Sequence, residues 1–240
     1  MKDLSPALLI AAAGQGRRMG GDTKKPYLLL AGKPVLAHTL EVFLKLNLFS
    51  LVGVIIAPGE KEAFREWVLE PFFAGEERLF QVEGGEERQI SVFNGLKSLQ
   101  DKKVHEDALV CVHDGARPLV DESLILNVYR EALITGAAIA GVPLKDTIKE
   151  IDSDHMVRKT PQRDLFMAVQ TPQCFSFSVL WQAHCQAAEA GFFGSDDSSL
   201  VERLGINVKV VPGSYENLKL TTPSDLRIAE EYLSSRRFLK

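Results

Sequence analysis

Short apolar runs recur along this chain at residues 8–12, 51–57, 79–83, 109–113 and 137–142, and amphipathic stretches of helical length separate most of them. A strand buried on both faces reads as a continuous apolar run, and such runs alternating with helices are the signature of βαβ units. The pattern predicts an α/β, Rossmann-like fold: a mostly parallel twisted sheet flanked by helices, with ligands bound beyond the strand C-terminal ends. Helices are expected over 34–46, 88–99 and 121–135. The first has proline in its opening turn and an apolar stripe of Val35, Leu36, Leu40, Phe43 and Leu44, which suits a helix lying on a sheet. A last helix follows Thr222-Pro223-Ser224-Asp225, where a hydroxyl, a first-turn proline and an acid three residues on give a start signal. With 240 residues and 45% hydrophobic content, a single domain over 1–240 is the expectation.

The rhythm breaks over 144–173, where short alternating runs interrupted by proline leave no helical stripe. This segment reads as an extended, hairpin-like arm. With little core of its own it must pack on something, and a second subunit makes a homodimer the expectation.

Residues 8–34 read LLIAAAGQGRRMGGDTKKPYLLLAGKP, a buried strand opening into a glycine-rich loop. Gly14, Gly16, Gly20 and Gly21 allow close backbone approach, and Arg17, Arg18, Lys24 and Lys25 place positive charge where a polyphosphate would sit. A P-loop is excluded because no Gly-Lys-Ser or Gly-Lys-Thr follows at the required spacing. A dinucleotide fingerprint would need glycine at Met19, which argues against a nicotinamide-dependent oxidoreductase. Arginines in the loop instead favour a triphosphate whose charge grows during reaction, and the glycines predict closure on binding. The net charge of -4 argues against wholesale nucleic-acid binding, so the local basic loop is expected to hold a small anion.

Cys111, Cys174 and Cys185 are few and scattered, without metal-site spacing, and read as thiols of a reducing cytoplasm. The first apolar run enters the glycine loop rather than a cleavage site, and no run approaches the ~20 residues that span a bilayer.

The residues that follow the other strands are polar. After 79–82 come Gly84, Gly85, Glu86, Arg88 and Ser91; the glycines would admit a base or ribose, and Arg88 and Ser91 can donate hydrogen bonds. Their alternative is a plain helix start with acids on the helix dipole. After 109–112 come His113, Asp114, Gly115 and Arg117. An aspartate leaving a strand beside a phosphate loop is where Mg²⁺, or another hard divalent cation, is expected. His113 reads as a packed strand-end residue, because an ionised phosphate nucleophile needs no base. A further polar cluster joins Thr147 and Arg163 with residues 195–199 and 216–223. Lys219, in a β-like run before the last helix, suits a phosphate or a metal-bridging position, its alternative being a solvated strand lysine. Asp196 and Asp197 either belong to the cluster or are acids at a helix start.

Six segments in order, AAGQGRRMG with KKPYLLLAGKPVLAHTL, EGGEERQISVFNGL, VHDGARPLV, PLKDTIK, TPQ and ENLKLTTPSDL, resemble the 2-C-methyl-D-erythritol 4-phosphate cytidylyltransferase family of the non-mevalonate isoprenoid pathway. The resemblance implies that CTP is bound by Ala12, Ala13, Gly14, Gly16, Arg17, Gly85, Glu86, Arg88, Ser91 and Gly115. It further implies that Arg18, Lys25 and Lys219 are catalytic, the first two at the α-phosphate, and that Asp114 helps hold Mg²⁺ and substrate. Arg117 and Thr171 are implied as acceptor contacts, and Thr147 and Arg163 as arm residues reaching the acceptor of the neighbouring subunit. Two departures stand out: Lys25-Pro26-Tyr27 replaces the usual Lys-Gln-Tyr, and Gly115 follows Asp114 where the family has alanine. The alternative within the same chemistry is cytidylyl transfer to ribitol 5-phosphate or another pentitol phosphate.

Overall fold

Strand β1 (Ala7–Ala11) is buried between two neighbours and opens at Ala12 into the glycine-rich loop. The computed structural model describes residues 4–14 and 25–238. Beyond the loop, a short 3-10 turn at Lys25–Tyr27 leads through the small ladder of β2 (Leu29–Leu30) and β3 (Lys33–Pro34) to α1 (Val35–Lys45). Strand β4 (Leu51–Ile56) is followed by α2 (Lys61–Phe64), a π-type turn at Arg65–Leu69 and α3 (Glu70–Phe73). Then come β5 (Leu79–Glu83), α4 (Arg88–Asp101), β6 (Leu109–Asp114), α5 (Glu122–Thr135) and β7 (Ala137–Pro143). The start of α5 is capped by the Asp121 side chain, which accepts from Leu124 N, and its end by Gly136 at φ 78°, where the left-handed conformation favours glycine.

The arm carries the two-stranded hairpin of β8 (Glu150–Ile151) and β9 (Val157–Lys159). Its expected range ends too late. Met167–Ser176 forms β10, a strand of the central sheet, because residues 170 to 175 are buried between β6 and β7 instead of standing out in solvent. The chain closes with α6 (Phe177–Glu189), α7 (Asp197–Glu202), β11 (Lys209–Pro212) and α8 (Pro223–Phe238). Lys219 lies in the irregular segment before α8, where the sequence read as β-like.

The described residues build a seven-stranded sheet in the order β11-β7-β10-β6-β1-β4-β5, parallel except for β10, which runs antiparallel to both neighbours. Side chains alternate across it as a strand's period of two requires. Leu8 and Ile10 enter a core layer shared with Leu36, Leu40 and Phe43 of α1 and Ile125 and Val128 of α5. Ala7 and Leu9 enter the opposite layer, with Val92 and Leu96 of α4 and Leu180 of α6. A smaller cluster seats α8 on Leu30, Val35 and Leu119.

Cys111 and Cys174 face each other in the β6–β10 ladder and form a disulfide, S–S 1.99 Å, although they stand 63 positions apart in sequence. Their scatter along the chain therefore did not exclude a bond, because antiparallel pairing of two distant strands brings them opposite. The cysteines no longer speak for a reducing compartment. No helix among the described residues is long and apolar enough to cross a membrane.

Candidate active site

The strand order switches sides at β1, which has the parallel strands β4 on one side and β6 on the other. The crevice beyond their C-terminal ends is the place where open α/β sheets bind ligands. A cavity of about 370 Å³ occupies it, lined by Ala11 at the end of β1 with Ala12, Ala13 and Gly14 after it, and by Gly85, Glu86, Arg88 and Ser91 after β5. Asp114 at the end of β6, Gly115 after it, and Lys219 continue the wall. Pro26, Ala57, Pro58, Glu87, Ala116 and Thr221 also line it; these small or capping residues carry no charge pattern that would have marked them, apart from Glu87.

The glycines after β5 are a packing requirement. A Cβ on Gly84 would lie 2.5 Å from Ala13 Cβ and 3.2 Å from Ile56 O, and one on Gly85 would lie 2.3 Å from Ile90 Cγ2. Ser91 ties this turn down: its Oγ accepts from Gly85 N at 3.0 Å and donates to Glu87 O at 3.0 Å. The hydroxyl expected to meet a nucleotide therefore shapes the loop while its residue lines the cavity.

A second cavity, about 410 Å³, lies on the β10 side and is lined by Arg117, Gln170, Thr171 and Gln173 with Ser195, Asp196, Ser198, Ser199 and Glu202. Arg88, Asp114 and Lys219 line both cavities. Because β10 is antiparallel, its Thr171 arrives at the end of β6 beside Asp114, and Thr171 Oγ1 accepts from Asp114 N at 3.0 Å. Nothing in the sequence pattern gave that juxtaposition.

Asp114 is the electrostatic centre. Arg88 Nε donates to its Oδ1 at 3.0 Å, Lys219 Nζ stands 2.7 Å from its Oδ2, and Arg117 Nε is 3.9 Å from Oδ2. Burial alone would raise the carboxyl pKa; the charges of Arg88 and Lys219, with the Lys219 hydrogen bond and then Arg117, reverse this and hold it well below the usual carboxylate range. It stays ionised. Lys219 is delivered by backbone pairing, since Leu220 N donates to Ala116 O at 2.8 Å, and Arg117 Nη1 donates to Asn217 O at 2.7 Å. Asn217, buried and unmarked in the sequence reading, donates from Nδ2 to Thr171 O at 2.9 Å and to Gln170 Oε1 at 3.2 Å.

His113 is packed as expected of a strand-end residue. Its ring centroid lies 4.8 Å from that of Phe43, and Nε2 donates to Arg117 O at 3.2 Å. That leaves Nδ1 to accept from Thr171 Oγ1 at 3.1 Å. Burial pushes its pKa down to about 3, so the ring is neutral and acts as a spacer beneath Asp114.

Tyr27, at the far end of the glycine loop, is buried and its hydroxyl donates to Glu60 Oε2 at 3.1 Å. Burial first, and Glu60 second, raise the phenol pKa. Gly16, Arg17 and Arg18 lie outside the described residues, and Lys25 is described as the first residue of the 3-10 turn. Thr147 and Arg163 are exposed on the arm and line neither cavity; Arg163 Nη1 donates to Lys145 O of its own arm at 2.7 Å.

The family model for 2-C-methyl-D-erythritol 4-phosphate cytidylyltransferase (IspD) matches residues 7–235. Proteins named 2-C-methyl-D-erythritol 4-phosphate cytidylyltransferase from Caldanaerobacter subterraneus and Pelotomaculum thermopropionicum are similar to this chain. The first is 44% identical over 230 residues, 96% of this chain and 99% of that protein. The second is 44% identical over 231 residues, 96% and 95% of the two chains. A solved 4-diphosphocytidyl-2C-methyl-D-erythritol synthase from Anaerococcus prevotii superposes with a TM-score of 0.82 at 31% identity, covering 95% of this chain and 98% of its own. The Francisella tularensis cytidylyltransferase structure gives a TM-score of 0.80 at 30% identity, covering 95% and 99%.

Proposed function

The chain belongs to the 2-C-methyl-D-erythritol 4-phosphate cytidylyltransferase family, and we propose that its first cavity takes CTP while its second takes the acceptor's phosphate. The protein is a nucleotidyltransferase that transfers a cytidylyl group from CTP to 2-C-methyl-D-erythritol 4-phosphate, giving 4-diphosphocytidyl-2-C-methyl-D-erythritol and pyrophosphate. Ribitol 5-phosphate as acceptor is not favoured by these relatives. The observation that carries the assignment of the cavities is that Arg88, Asp114 and Lys219 line both. Two reacting phosphates would meet there.

In this reading an acceptor phosphate oxygen attacks the α-phosphorus of CTP in line, the new P–O bond forms as the bond to the β-phosphate oxygen breaks, and pyrophosphate leaves. Negative charge accumulates on the α-phosphoryl oxygens, so fixed cations count for more in the transition state than in the ground state. Arg18 and Lys25 of the glycine-rich loop are the cations that the family resemblance assigns to that charge, together with Lys219 on the wall shared by the two cavities. Arg117 and Lys219 supply the positive charge for the acceptor phosphate in the second cavity, whose wall Thr171 helps to form.

Among the described residues no group of three or more His, Cys, Asp or Glu side chains is arranged to hold a metal ion. Mg²⁺ in phosphate sites needs only one or two carboxylates, taking the rest of its shell from phosphates and water. The ionised Asp114 on the cavity wall fits that role. When bound, the ion neutralises charge on the phosphate oxygens.

The arm supports a homodimer. Met156 is 65% and Leu165 76% exposed, apolar surface that a partner would cover. Thr147 and Arg163 then reach the acceptor cavity of the neighbouring subunit. The test is pyrophosphate release with CTP and Mg²⁺ against each polyol phosphate. Turnover with 2-C-methyl-D-erythritol 4-phosphate and little with ribitol 5-phosphate is expected; the reverse preference would overturn the reading.

A further inference from the structure

Asp197 is the first residue of α7, a position where an acid ordinarily sits in solvent and complements the helix dipole. Here it is 1% exposed. Its neighbour Asp196 does the capping, accepting from Ser199 N in a reciprocal capping box, so helix initiation does not explain Asp197. A buried carboxylate is costly unless its charge is matched, and both of its oxygens are engaged. Arg88 Nη1 donates to Oδ2 at 2.8 Å, and His184 Nε2 donates to Oδ1 at 3.2 Å.

These contacts form a line from the core to the reaction centre. Arg88 spans two carboxylates, with Nε on Asp114 Oδ1 and Nη1 on Asp197 Oδ2. Held at both corners, the planar fork cannot pivot; held only through Nε, it can swing. Asp114 would then lose the bond that keeps Oδ2 turned to Lys219 at 2.7 Å. Behind Asp197, His184 is buried and stacked on Phe93 with centroids 5.7 Å apart at 21°. Its Nδ1 has no hydrogen-bond partner among the described residues, so the ring's polar contact is directed to Asp197.

We propose that Asp197, backed by His184, is a positioning residue for cytidylyl transfer: it fixes Arg88, and through it the orientation of Asp114 between the two cavities. The proposal rests on the assignment of those cavities above. Asp197 touches no substrate. Its effect belongs in the chemical step, because misplacing a catalytic group by as little as about 1 Å can cost about 100-fold in rate.

The test uses the full-length protein and follows pyrophosphate release, CTP binding by calorimetry and thermal unfolding side by side. Wild-type turnover with CTP and 2-C-methyl-D-erythritol 4-phosphate is measured first, so failure of the family reading is seen independently. Asp197→Asn keeps the shape and one acceptor but loses the charge. It is expected to lower kcat about 10-fold or more, a larger change than in the CTP dissociation constant, which shifts only as far as Arg88 itself meets CTP. A folded Asp197→Asn protein with wild-type kcat overturns the proposal, as does a parallel loss of CTP binding and thermal stability without a separate kcat effect. His184 supplies a second, independent pair. His184→Gln, which keeps a side-chain N–H, should retain more kcat than His184→Leu, which keeps none. If Asp197→Asn does not fold, the His184 pair decides, and equal kcat values in its two members overturn the proposal.

Discussion

Lys219 Nζ lies 2.7 Å from Asp114 Oδ2 on the wall shared by the two cavities. The pairing is imposed by the backbone, since the segment before α8 bonds to Ala116 through Leu220 N at 2.8 Å. An ammonium held there can meet a phosphate from either side. Replacing Lys219 by Ala should lower kcat by about 100-fold, as loss of one preorganised cation does, with KM for CTP changed far less. Lys219→Arg should recover part of the rate. Steady-state pyrophosphate release checks this, and near-wild-type turnover in Lys219→Ala would remove the residue from the mechanism.

The loop after β5 offers a steric test. A Cβ on Gly84 would sit 2.5 Å from Ala13 Cβ, 2.9 Å from Ser91 Oγ and 3.2 Å from Ile56 O. Ala13 and Ile56 O belong to the frame around the first cavity and cannot swing aside as a long side chain could. Gly84→Ala should therefore shift the β1 and β5 loops apart, raise KM for CTP about 10-fold and cost about 1–3 kcal/mol of stability. Calorimetric CTP titration and urea unfolding measure the two effects. An unaltered CTP affinity would show that the cavity tolerates the displacement.

Buried His113 ties stability to pH. Its ordinary pKa of 6.5 falls to about 3 in the fold because burial disfavours the charged ring. The unfolded chain therefore binds the extra proton more readily, so stability is full above pH 6.5 and declines as pH falls from there towards 3. One such group gives a slope of up to about 1.4 kcal/mol per pH unit. Asp114 and Asp197, both depressed by their cation partners against the opposing effect of burial, add to the loss only below the ordinary carboxylate value of 3.8. Urea midpoints at pH 7.5, 6 and 5 should fall in order for the wild-type protein. His113→Gln should start lower but show a flatter profile over the same range.

Most of the sheet was legible because parallel buried strands are continuous apolar runs, and the polar residues after them, at Gly85, Arg88 and Asp114, line the first cavity. Strand β10 was not legible. Its residues 170 to 175 are Gln, Thr, Pro, Gln, Cys and Phe, a mixed string whose burial follows from lying between two other strands and from side chains such as Gln173 bonding to Asp196 at 2.7 Å. With β10 unseen, the meeting of Thr171 with Asp114 and the Cys111–Cys174 bond were invisible too. Asp197 shows the same difficulty in reverse. An acid at a helix start has a sufficient local explanation, and only tertiary packing against Arg88 and His184 reveals a different one.

The arm leads to a test that separates a subunit's own residues from its partner's. Arg163 is exposed and bonded to Lys145 O, while Lys219 lies at the wall of the cavities. If each acceptor site combines Lys219 of one subunit with Arg163 of the other, an Arg163→Ala protein and a Lys219→Ala protein should each be nearly inactive alone. When they are mixed under conditions that exchange subunits, a heterodimer has one site with both residues intact and one with neither. Random pairing places half of the protein in such heterodimers, so activity should rise to about a quarter of the wild-type value. Sedimentation of each protein and of the mixture tests whether the proposed dimer forms. No recovery in an exchanging mixture would place Arg163 at its own subunit's site, or at none.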